Sequence, residues 1–449
     1  MLLRVIVKNF LSYKERQEFT MFPNRDITEL PSHIFDKDTI PLLKMASLYG
    51  NNASGKSNFA QALSFIRLFA LSKTSIQSSD VAKHLYRLER LEELKERSLS
   101  ILVEFKSNGS YFIYQVELDL QGVRTEELLL SGANTSPESL YKRRYSDIEL
   151  SSSLSPKSLD QWSHTKGVLE KRLTQDPYKS VLGLLFEFPV LEEKHIKQAY
   201  DWFQQCLVIT SGRASHNQLN ALLYERKDLY KFTSQVIQGV DIGVDKLHLR
   251  ETDLAIWLNQ HSDLANTLDM SRRVEASEIH SVVSHLDRPI LNRINVAGKE
   301  KILELIFAHQ GVDGNTYDLD IESESDGTIR TLHLMPALFE AINSFGVVVI
   351  DEMDTSLHSN LLLDLIAFFS LNPSKGQLIF TLHDTNLLDS IGLLRTDEVW
   401  FIEKRGGSSY MYSLDNYTKM MSGDISQKYR EGRYGSSYTG NLVQDSNAI

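Results

Sequence analysis

The chain has 449 residues, of which 42% are hydrophobic and 24% charged, with a formal net charge of −11. That length is enough to bury one large core or two modest ones. The net negative charge argues against binding duplex nucleic acid across a broad face, because proteins that neutralise many phosphates are usually basic. Local basic clusters leave direct DNA binding open, but it is not favoured.

Cysteine usage and hydropathy bear on the compartment. The single cysteine, Cys206, excludes an intrachain disulfide and fits a reducing compartment. All apolar runs fall well short of the roughly 20 residues that span a bilayer. The first ten residues carry Arg4 and Lys8 within their apolar stretch. We therefore expect them to form a strand rather than a signal peptide, and the protein to be cytoplasmic with no membrane partner.

A phosphate-binding loop is predicted between the apolar run 42–49 and a helical pattern that begins at Asn58. The sequence there fits G-x-x-x-x-G-K-[ST]. Its glycines let backbone N–H groups close around phosphates, Lys56 neutralises phosphate charge, and the Ser57 hydroxyl can ligate Mg²⁺. A glycine-rich turn with a chance lysine is the weaker interpretation. We expect ATP to be bound by Gly50, Asn51, Asn52, Ala53, Ser54, Gly55, Lys56, Ser57 and Asn58.

The middle of the chain predicts a division into three parts. Alternating strands at 101–105 and 111–120 flank Asn108-Gly109, a strong hairpin signal that indicates an antiparallel β-layer. Residues 146–160 are rich in serine and predict an exposed linker. The apolar spacing that follows is mostly helical, without sustained heptads. We expect an N-terminal half at 1–145, a mainly helical insertion at 146–300 that is either scaffold or a docking surface, and a C-terminal half at 301–449.

Ser325-Asp326-Gly327-Thr328 precedes a helical pattern at 330–342, so its free N–H groups could bind an anion. The P-loop already supplies one helix N-terminus to the phosphates. A second helix N-terminus would have a function if it contacted ATP bound to the P-loop of another copy of the chain. An ordinary helix cap is the alternative, and it remains open.

Two acids follow a β-branched run at 347–350, as expected of a buried parallel strand that delivers carboxylates at its end. Asp351 is the candidate Mg²⁺ ligand. Glu352 is the candidate acceptor for the proton of the attacking water. A strand that simply ends at the surface would also carry acids, and the P-loop makes the functional interpretation the stronger one.

His383 ends a second strand, at 378–382, after a helix and a turn of the length that a βαβ crossover needs. A histidine at that position can reach the γ-phosphate and sense its presence. A structural histidine is the alternative. With Lys56 and Glu352, His383 completes the predicted catalytic set.

The order of these motifs resembles that of ABC-type ATPases related to the heads of RecF, SMC proteins and Rad50. It is still more similar to the AAA15- and AAA21-type ATPases of bacterial defence systems. The opening segment 3–13, the acidic and serine-containing stretch 354–358 and the late segment 429–435 also resemble these proteins. The resemblance implies an α/β fold, a P-loop NTPase of ABC-ATPase head type with an antiparallel β-layer and a helical insertion. It also implies that ATP is contacted in trans by Ser325, Gly327 and Thr328, and that Asp354 and Ser356 couple two sites across a dimer.

Within that group the chain resembles the ATPase subunits of PARIS anti-phage systems. The resemblance implies a homodimer at minimum, or a larger ring such as a hexamer, that holds a Toprim-family nuclease inactive. A phage-encoded trigger protein would release the nuclease. The basic run Lys142-Arg143-Arg144 is a candidate surface for an acidic trigger.

Two other classes of function compete with a defence ATPase. One is a RecF- or Rad50-like DNA-repair or recombination ATPase that binds DNA ends or junctions. The other is a self-sufficient nuclease. It is the weakest of the three, because residues 384–449 suffice for a strand pair and a helix but not for a Toprim fold.

Overall fold

The computed structural model describes the chain except for residues 36–38, 73–75, 89–96, 133–134, 152–153, 155–158, 188–193, 212–218, 241, 262–278, 284–288, 390–391, 419–424 and 431–449. The late segment 429–435, part of the family resemblance, therefore lies mostly outside the described residues. No helix in the described part of the chain is both long enough and apolar enough to cross a membrane.

The described strands are β1 (Leu2–Lys8), β2 (Gln17–Thr20), β3 (Ile34–Phe35), β4 (Leu42–Leu43), β5 (Met45–Tyr49), β6 (Leu99–Ser107), β7 (Ser110–Asp119), β8 (Gly122–Gly132), β9 (Thr135–Arg144), β10 (Asp147–Leu150), β11 (Leu207–Ser211), β12 (Lys246–Asp253), β13 (Ile279–Val283), β14 (Pro289–Val296), β15 (Lys299–Gln310), β16 (Thr316–Asp320), β17 (Val347–Asp351), β18 (Gln377–Leu382), β19 (Val399–Arg405) and β20 (Ser408–Ser413). The described helices are α1 (Lys56–Leu71), α2 (Ser78–His84), α3 (Leu159–Gln175), α4 (Val181–Glu187), α5 (Lys194–Asp201), α6 (Leu219–Glu225), α7 (Lys227–Gly239), α8 (Leu254–Gln260), α9 (Asp326–Asn343), α10 (Ser359–Leu371), α11 (Asp415–Thr418) and α12 (Ile425–Arg430).

Contacts divide the chain into two compact units. The first comprises Met1–Thr210, Glu340–Met353 and Ile366–Ile449, and the second comprises Ser211–Phe339 and Asp354–Leu365. This division differs from the predicted boundaries at 145 and 300. The reason is packing, because Leu169, Leu184 and Phe203 of the expected insertion are buried in the core of the first unit.

The first unit contains a six-stranded sheet in the order β11-β17-β18-β5-β19-β20. Strands β17, β18, β5 and β19 run parallel, with Val349 opposite Ile379, and Phe380 opposite Ser47. Every residue of β5 and β18 is buried. Such continuous burial is characteristic of parallel strands covered on both faces. Strand β20 closes the sheet as an antiparallel hairpin with β19.

A seven-stranded antiparallel sheet in the order β10-β9-β8-β7-β6-β1-β2 forms the second layer of this unit. Asn108 and Gly109 link β6 to β7 and both have positive φ, at 45° and 84°. Two consecutive positive φ angles define the hairpin turn that such a dipeptide favours. The hairpin and the antiparallel β-layer predicted from the sequence are therefore confirmed. Asp147–Leu150 extend this sheet as β10, so the linker prediction is wrong for those residues.

One hydrophobic core joins the two sheets of the first unit. Helix α1 contributes Phe59, Leu63 and Ile66, the antiparallel sheet contributes Val103 and Phe112, and further buried side chains come from β5, β17, α4 and α5. Helix α1, which carries the P-loop lysine at its first residue, is therefore anchored along its length.

The second unit contains a separate sheet, in the order β12-β15-β14-β13 with β16 also paired to β15. Helices α6 and α7 cover it, and a core forms where Leu223 and Leu229 meet Phe307 and Leu332. Residues 146–300 were expected to be mainly helical. In the described residues they also include β10 to β14. The short apolar runs around 247 and 294, for example, form β12 and β14, which pair with β15.

Arg143, predicted as part of a basic surface run, is instead completely buried. Its guanidinium lies 3.6 Å from the carboxylate of Glu126 and donates to the carbonyl groups of Pro177, Lys179 and Tyr145. The alternation of β9 explains this, because successive residues face opposite sides of a sheet. Only Lys142 and Arg144 of this run reach solvent.

Candidate functional site

The predicted site residues of the first unit meet at one edge of its six-stranded sheet. The P-loop follows β5, Asp351 ends β17, and His383 follows β18. Strand β18 lies between β17 and β5, and these strands are parallel. Their carboxyl ends therefore coincide, which is where open α/β sheets bind ligands.

The P-loop has the backbone shape of an anion cradle. Ala53 and Gly55 have positive φ, at 63° and 117°, and α1 begins directly afterwards at Lys56. A Cβ at Gly50 would lie 2.4 Å from Ser54 Oγ and 2.5 Å from the Ile402 carbonyl oxygen, so a side chain there has no space. The first N–H groups of a helix have no intrahelical acceptor. Together these features suit the oxygens of a phosphate.

Lys56 is the first residue of α1 and is buried. Its Nζ donates to the carbonyl oxygens of Gly50 at 2.5 Å and Asn51 at 3.2 Å, and lies 3.3 Å from Nδ1 of His383. The lysine therefore links the P-loop to the end of β18. The structure brings together Lys56 and His383, two of the three predicted catalytic residues.

Asp351 and Glu352 are held by a residue that no motif indicates. The hydroxyl of Thr381 donates to Oδ1 of Asp351 at 2.7 Å and accepts the N–H of Glu352, also at 2.7 Å. Glu352 has φ 53°, a left-handed conformation that is uncommon outside glycine. Such strain is often found at functional sites. A threonine in the strand beside an acidic strand end is the only local signal that could have indicated Thr381.

The oxygen groups on this edge fit a magnesium ion. Mg²⁺ prefers hard oxygen ligands and is usually held by one or two protein groups together with phosphate oxygens and water. Ser57 offers a hydroxyl on α1 and Asp351 a carboxylate on β17. These two residues would hold the ion.

Tyr13, the last residue of the opening segment 3–13, and Ser409 also contact the P-loop, although neither was predicted as a site residue. The Tyr13 hydroxyl donates to the Gly55 carbonyl and the Ser409 hydroxyl to the Ser54 carbonyl. Burial and, secondarily, the charge of Asp351 raise the pKa of Tyr13. The tyrosine therefore keeps its proton and acts as a donor.

The remaining predicted site residues lie in the second unit. Ser325 caps α9, since its Oγ accepts the N–H of Thr328 at 3.1 Å and lies 3.0 Å from the Thr328 hydroxyl. A Cβ at Gly327 would lie 3.3 Å from the carbonyl oxygen of Ser356. The structure thus places the helix start beside the 354–358 stretch, where Ser356 has φ 60° and the N–H of Leu357 donates to Asp354. Ser325 therefore forms the helix cap that was the alternative interpretation of this segment. The start of α9 is also an exposed helix N-terminus, which could bind an anion.

Comparisons with solved structures show that this chain is similar to SMC head domains. The chain is similar to an SMC head bound to the C-winged helix domain of ScpA, at 13% identity over 94% of this chain and 99% of that chain, with a TM-score of 0.45. It is also similar to an SMC head domain from Thermotoga maritima, at 13% identity, 92% and 98% coverage and a TM-score of 0.38. A head domain with an extended coiled coil, bound to the C-terminal domain of ScpA derived from Pyrococcus furiosus, matches at 14% identity, 93% and 98% coverage and a TM-score of 0.42. A search of curated proteins finds no match.

A family model matches residues 45–182 and 207–389, which is more than half of the chain. The matched ranges include the P-loop, both acids at the end of β17, and His383. The fold is α/β, with a P-loop NTPase-like parallel sheet and an antiparallel β-layer, and the match to an AAA domain gives it the character of an ATP-binding ATPase domain. The chain belongs to the family described as AAA domain, putative AbiEii toxin, Type IV TA system.

Proposed function

We propose that this protein hydrolyses ATP slowly, dimerises around it, and uses its nucleotide state to control a larger assembly. One observation carries the proposal. Lys56 of the P-loop lies 3.3 Å from His383, on the strand edge where Thr381 fastens Asp351 and Glu352. A triphosphate in the P-loop would have a cation, a histidine and two carboxylates near it, which are groups that can bind phosphate, hold Mg²⁺ and accept the proton of the attacking water.

Each residue has a separate part in the reaction of ATP and water to ADP and phosphate. The P-loop N–H groups bind phosphate oxygens, and the Lys56 ammonium exchanges its carbonyl acceptors for phosphate. Glu352 accepts a proton from water as the water oxygen attacks the γ-phosphorus and the bond to the β-phosphate oxygen breaks. His383 contacts the γ-phosphate. Mg²⁺, held by Ser57 and Asp351, would neutralise charge on the β- and γ-phosphates.

A second copy of the chain completes each site. Ser325, Gly327 and Thr328 contact the ATP of the other copy, and Asp354 and Ser356 couple the two sites. This is supported by the position of Gly327 in the first turn of α9, against the Ser356 main chain. A homodimer is then the smallest active assembly, and pairs of heads could close a larger ring such as a hexamer.

In the cell the proposed role is that of a cytoplasmic sensor in a bacterial anti-phage complex. ATP-dependent assembly holds a toxic Toprim-family nuclease inactive until a phage-encoded trigger protein releases it. Two arguments support this role. The sequence resembles the ATPase subunits of PARIS systems, and the family description names a toxin of a type IV toxin–antitoxin system.

The test is to purify tagged Glu352→Gln protein with ATP from its native cell and identify what remains bound in stoichiometric amount. A nuclease would support the sensor role. DNA without a protein partner would favour the RecF- or Rad50-like alternative and contradict the proposed role. Tagged Lys56→Ala protein is the matched control, because a partner held by the ATP-bound assembly should be absent from it.

A further inference from the structure

A group of hydroxyls lies directly behind the P-loop. Tyr13 is fully buried, and its hydroxyl donates to the carbonyl oxygen of Gly55 over 2.8 Å. Ser409 is also fully buried, and its hydroxyl donates to the carbonyl oxygen of Ser54 over 2.5 Å. Side chains from the two ends of the chain therefore hold two consecutive P-loop carbonyls.

Each of these hydroxyls is itself held in place. Tyr13 closes a tight turn in which its N–H and carbonyl both bond to Phe10. The N–H of Ser409 donates to the Ser12 carbonyl over 2.8 Å, and the hydroxyls of Ser12 and Ser409 are 2.7 Å apart. The Asn58 side-chain amide donates to the Ser12 hydroxyl over 2.7 Å. Because a serine hydroxyl has one hydrogen and Ser409 uses its own on Ser54, Ser12 is the donor between the two serines.

Because the peptide bond is planar, holding these two carbonyls also fixes the direction of the P-loop N–H groups that share a peptide with them. The carbonyl of Ser54 shares a peptide group with the N–H of Gly55, and the carbonyl of Gly55 shares one with the N–H of Lys56. Both peptides are trans, so carbonyl and N–H point in opposite directions. Holding the two carbonyls toward Ser409 and Tyr13 therefore turns the two N–H groups to the other side, the side that cradles phosphate in a P-loop.

The packing around Gly55 agrees with this interpretation. A Cβ at Gly55 would lie 2.5 Å from Ser409 Oγ and 2.7 Å from Ser12 Oγ. The supporting hydroxyls thus fill the space that any side chain would need. Gly55 also has φ 117°, which L-residues rarely adopt. The close approach leaves the loop little freedom to rotate either peptide.

We propose that Tyr13 and Ser409 are positioning residues of the nucleotide site, which orient the N–H groups of Gly55 and Lys56 toward the phosphates. The proposal rests on the proposed ATP site. Neither residue touches nucleotide, so removing either hydroxyl should weaken phosphate binding and leave the nucleoside contacts unchanged.

The experiment uses the full chain and two hydroxyl deletions, Tyr13→Phe and Ser409→Ala. Tyr200→Phe and Ser413→Ala are matched controls. The Tyr200 hydroxyl donates to the Leu71 carbonyl at the other end of α1, and the Ser413 hydroxyl donates to the Val399 carbonyl within the same β-hairpin as Ser409. Calorimetry measures the affinities for ADP and for adenosine, and thermal unfolding reports the fold.

We expect each test variant to bind ADP about tenfold more weakly, which corresponds to the loss of about 1.4 kcal/mol. Its affinity for adenosine should remain within twofold of the unmodified protein, as should both affinities of the control variants. Unchanged ADP binding in the test variants would overturn the proposal, as would an equal loss for ADP and adenosine. If Tyr13→Phe does not fold, the ADP and adenosine affinities of Ser409→Ala test the proposal alone. Failure of the unmodified protein to bind ADP would refute the proposed ATP site instead, so the two failures are distinguishable.

Discussion

Nζ of Lys56 lies 3.3 Å from Nδ1 of His383, although the two residues are 327 positions apart in the chain. An ammonium group can only donate hydrogen bonds, so Nζ is the donor in this contact. The same Nζ donates to the carbonyls of Gly50 and Asn51. A bound phosphate would replace these neutral acceptors with anionic ones, whose hydrogen bonds are roughly twice as strong.

Replacing Lys56 with alanine should abolish measurable ATP and ADP binding, because the phosphates lose the cation of the P-loop. Titration calorimetry measures the loss, with circular dichroism as the check on folding. Lys375→Ala is a suitable control, since that ammonium lies over the ring of Phe345 and outside the P-loop. Nucleotide affinity within threefold of the unmodified protein would contradict the assignment of Lys56.

Glu352→Gln should bind ATP normally but hydrolyse it at least about 100-fold more slowly, because an amide cannot accept the proton of the attacking water. The dimer should then accumulate with ATP, which light scattering after gel filtration can measure. The unmodified protein with ADP is the control for the nucleotide state. Hydrolysis at the normal rate would show that another group activates the water.

Thr381→Val should lower kcat about tenfold with a smaller change in KM, because it removes the hydroxyl that joins Asp351 to the N–H of Glu352. Valine has nearly the shape of threonine, so packing in β18 is preserved. Thr381→Ser, which keeps the hydroxyl, should retain most of the activity in a steady-state ATPase assay. Equal activity of the valine and serine variants would exclude the positioning role of the hydroxyl.

Arg143→Ala should destabilise the protein by about 3–5 kcal/mol, because it leaves the buried carboxylate of Glu126 without its counter-charge. Lys142→Ala and Arg144→Ala should each change stability by no more than about 0.5 kcal/mol, since both side chains reach solvent. Urea denaturation gives the three values.

The same two surface variants test the trigger surface. Unchanged trigger binding in the double variant would remove this patch from consideration.

His33→Ala should cost about 3 kcal/mol at neutral pH, because the imidazole lies 3.0 Å from the buried carboxylate of Glu398. Ser370→Ala, which removes the other partner of His33 at 2.6 Å, should cost only about 1 kcal/mol. Denaturant unfolding measures both losses.

The His33→Ala variant should also have a characteristic pH dependence. Burial raises the pKa of Glu398 above its ordinary value and His33 counteracts this rise, so without His33 the folded variant takes up a proton at a higher pH than either the unmodified folded protein or the unfolded chain. Its stability should therefore rise as the pH falls from the folded pKa toward about 4.3, the unfolded value for glutamate. The stability gap to the unmodified protein should narrow as the pH falls from the folded pKa of the variant to that of the unmodified protein. A gap that widens there would contradict the buried-carboxylate explanation.

Local patterns in the sequence predicted the structure correctly wherever one short segment contains all the residues that determine it. The hairpin at Asn108-Gly109 was predicted for this reason, because two adjacent residues supply both positive φ angles. The burial of β5 and β18 follows from short, almost wholly apolar runs. Local patterns failed for the segment 159–206, since a helical period does not say which core the apolar face joins. They failed for Arg143 as well, because only the register of β9 turns it inward.

The sequence by itself determined the P-loop, the two acids at the end of β17 and the family, because each of these depends on contiguous residues whose spacing carries the chemistry. Only the tertiary structure decided that Thr381 joins Asp351 to Glu352, and that Tyr13 and Ser409 hold the carbonyls behind the phosphate cradle. The physical reason is that each of these contacts joins a side-chain hydroxyl to a group that lies between 29 and 355 residues away in the chain. Nothing in the local pattern around a tyrosine or a serine specifies its distant partner, and the folding of both sheets around α1 brings these groups within hydrogen-bond distance.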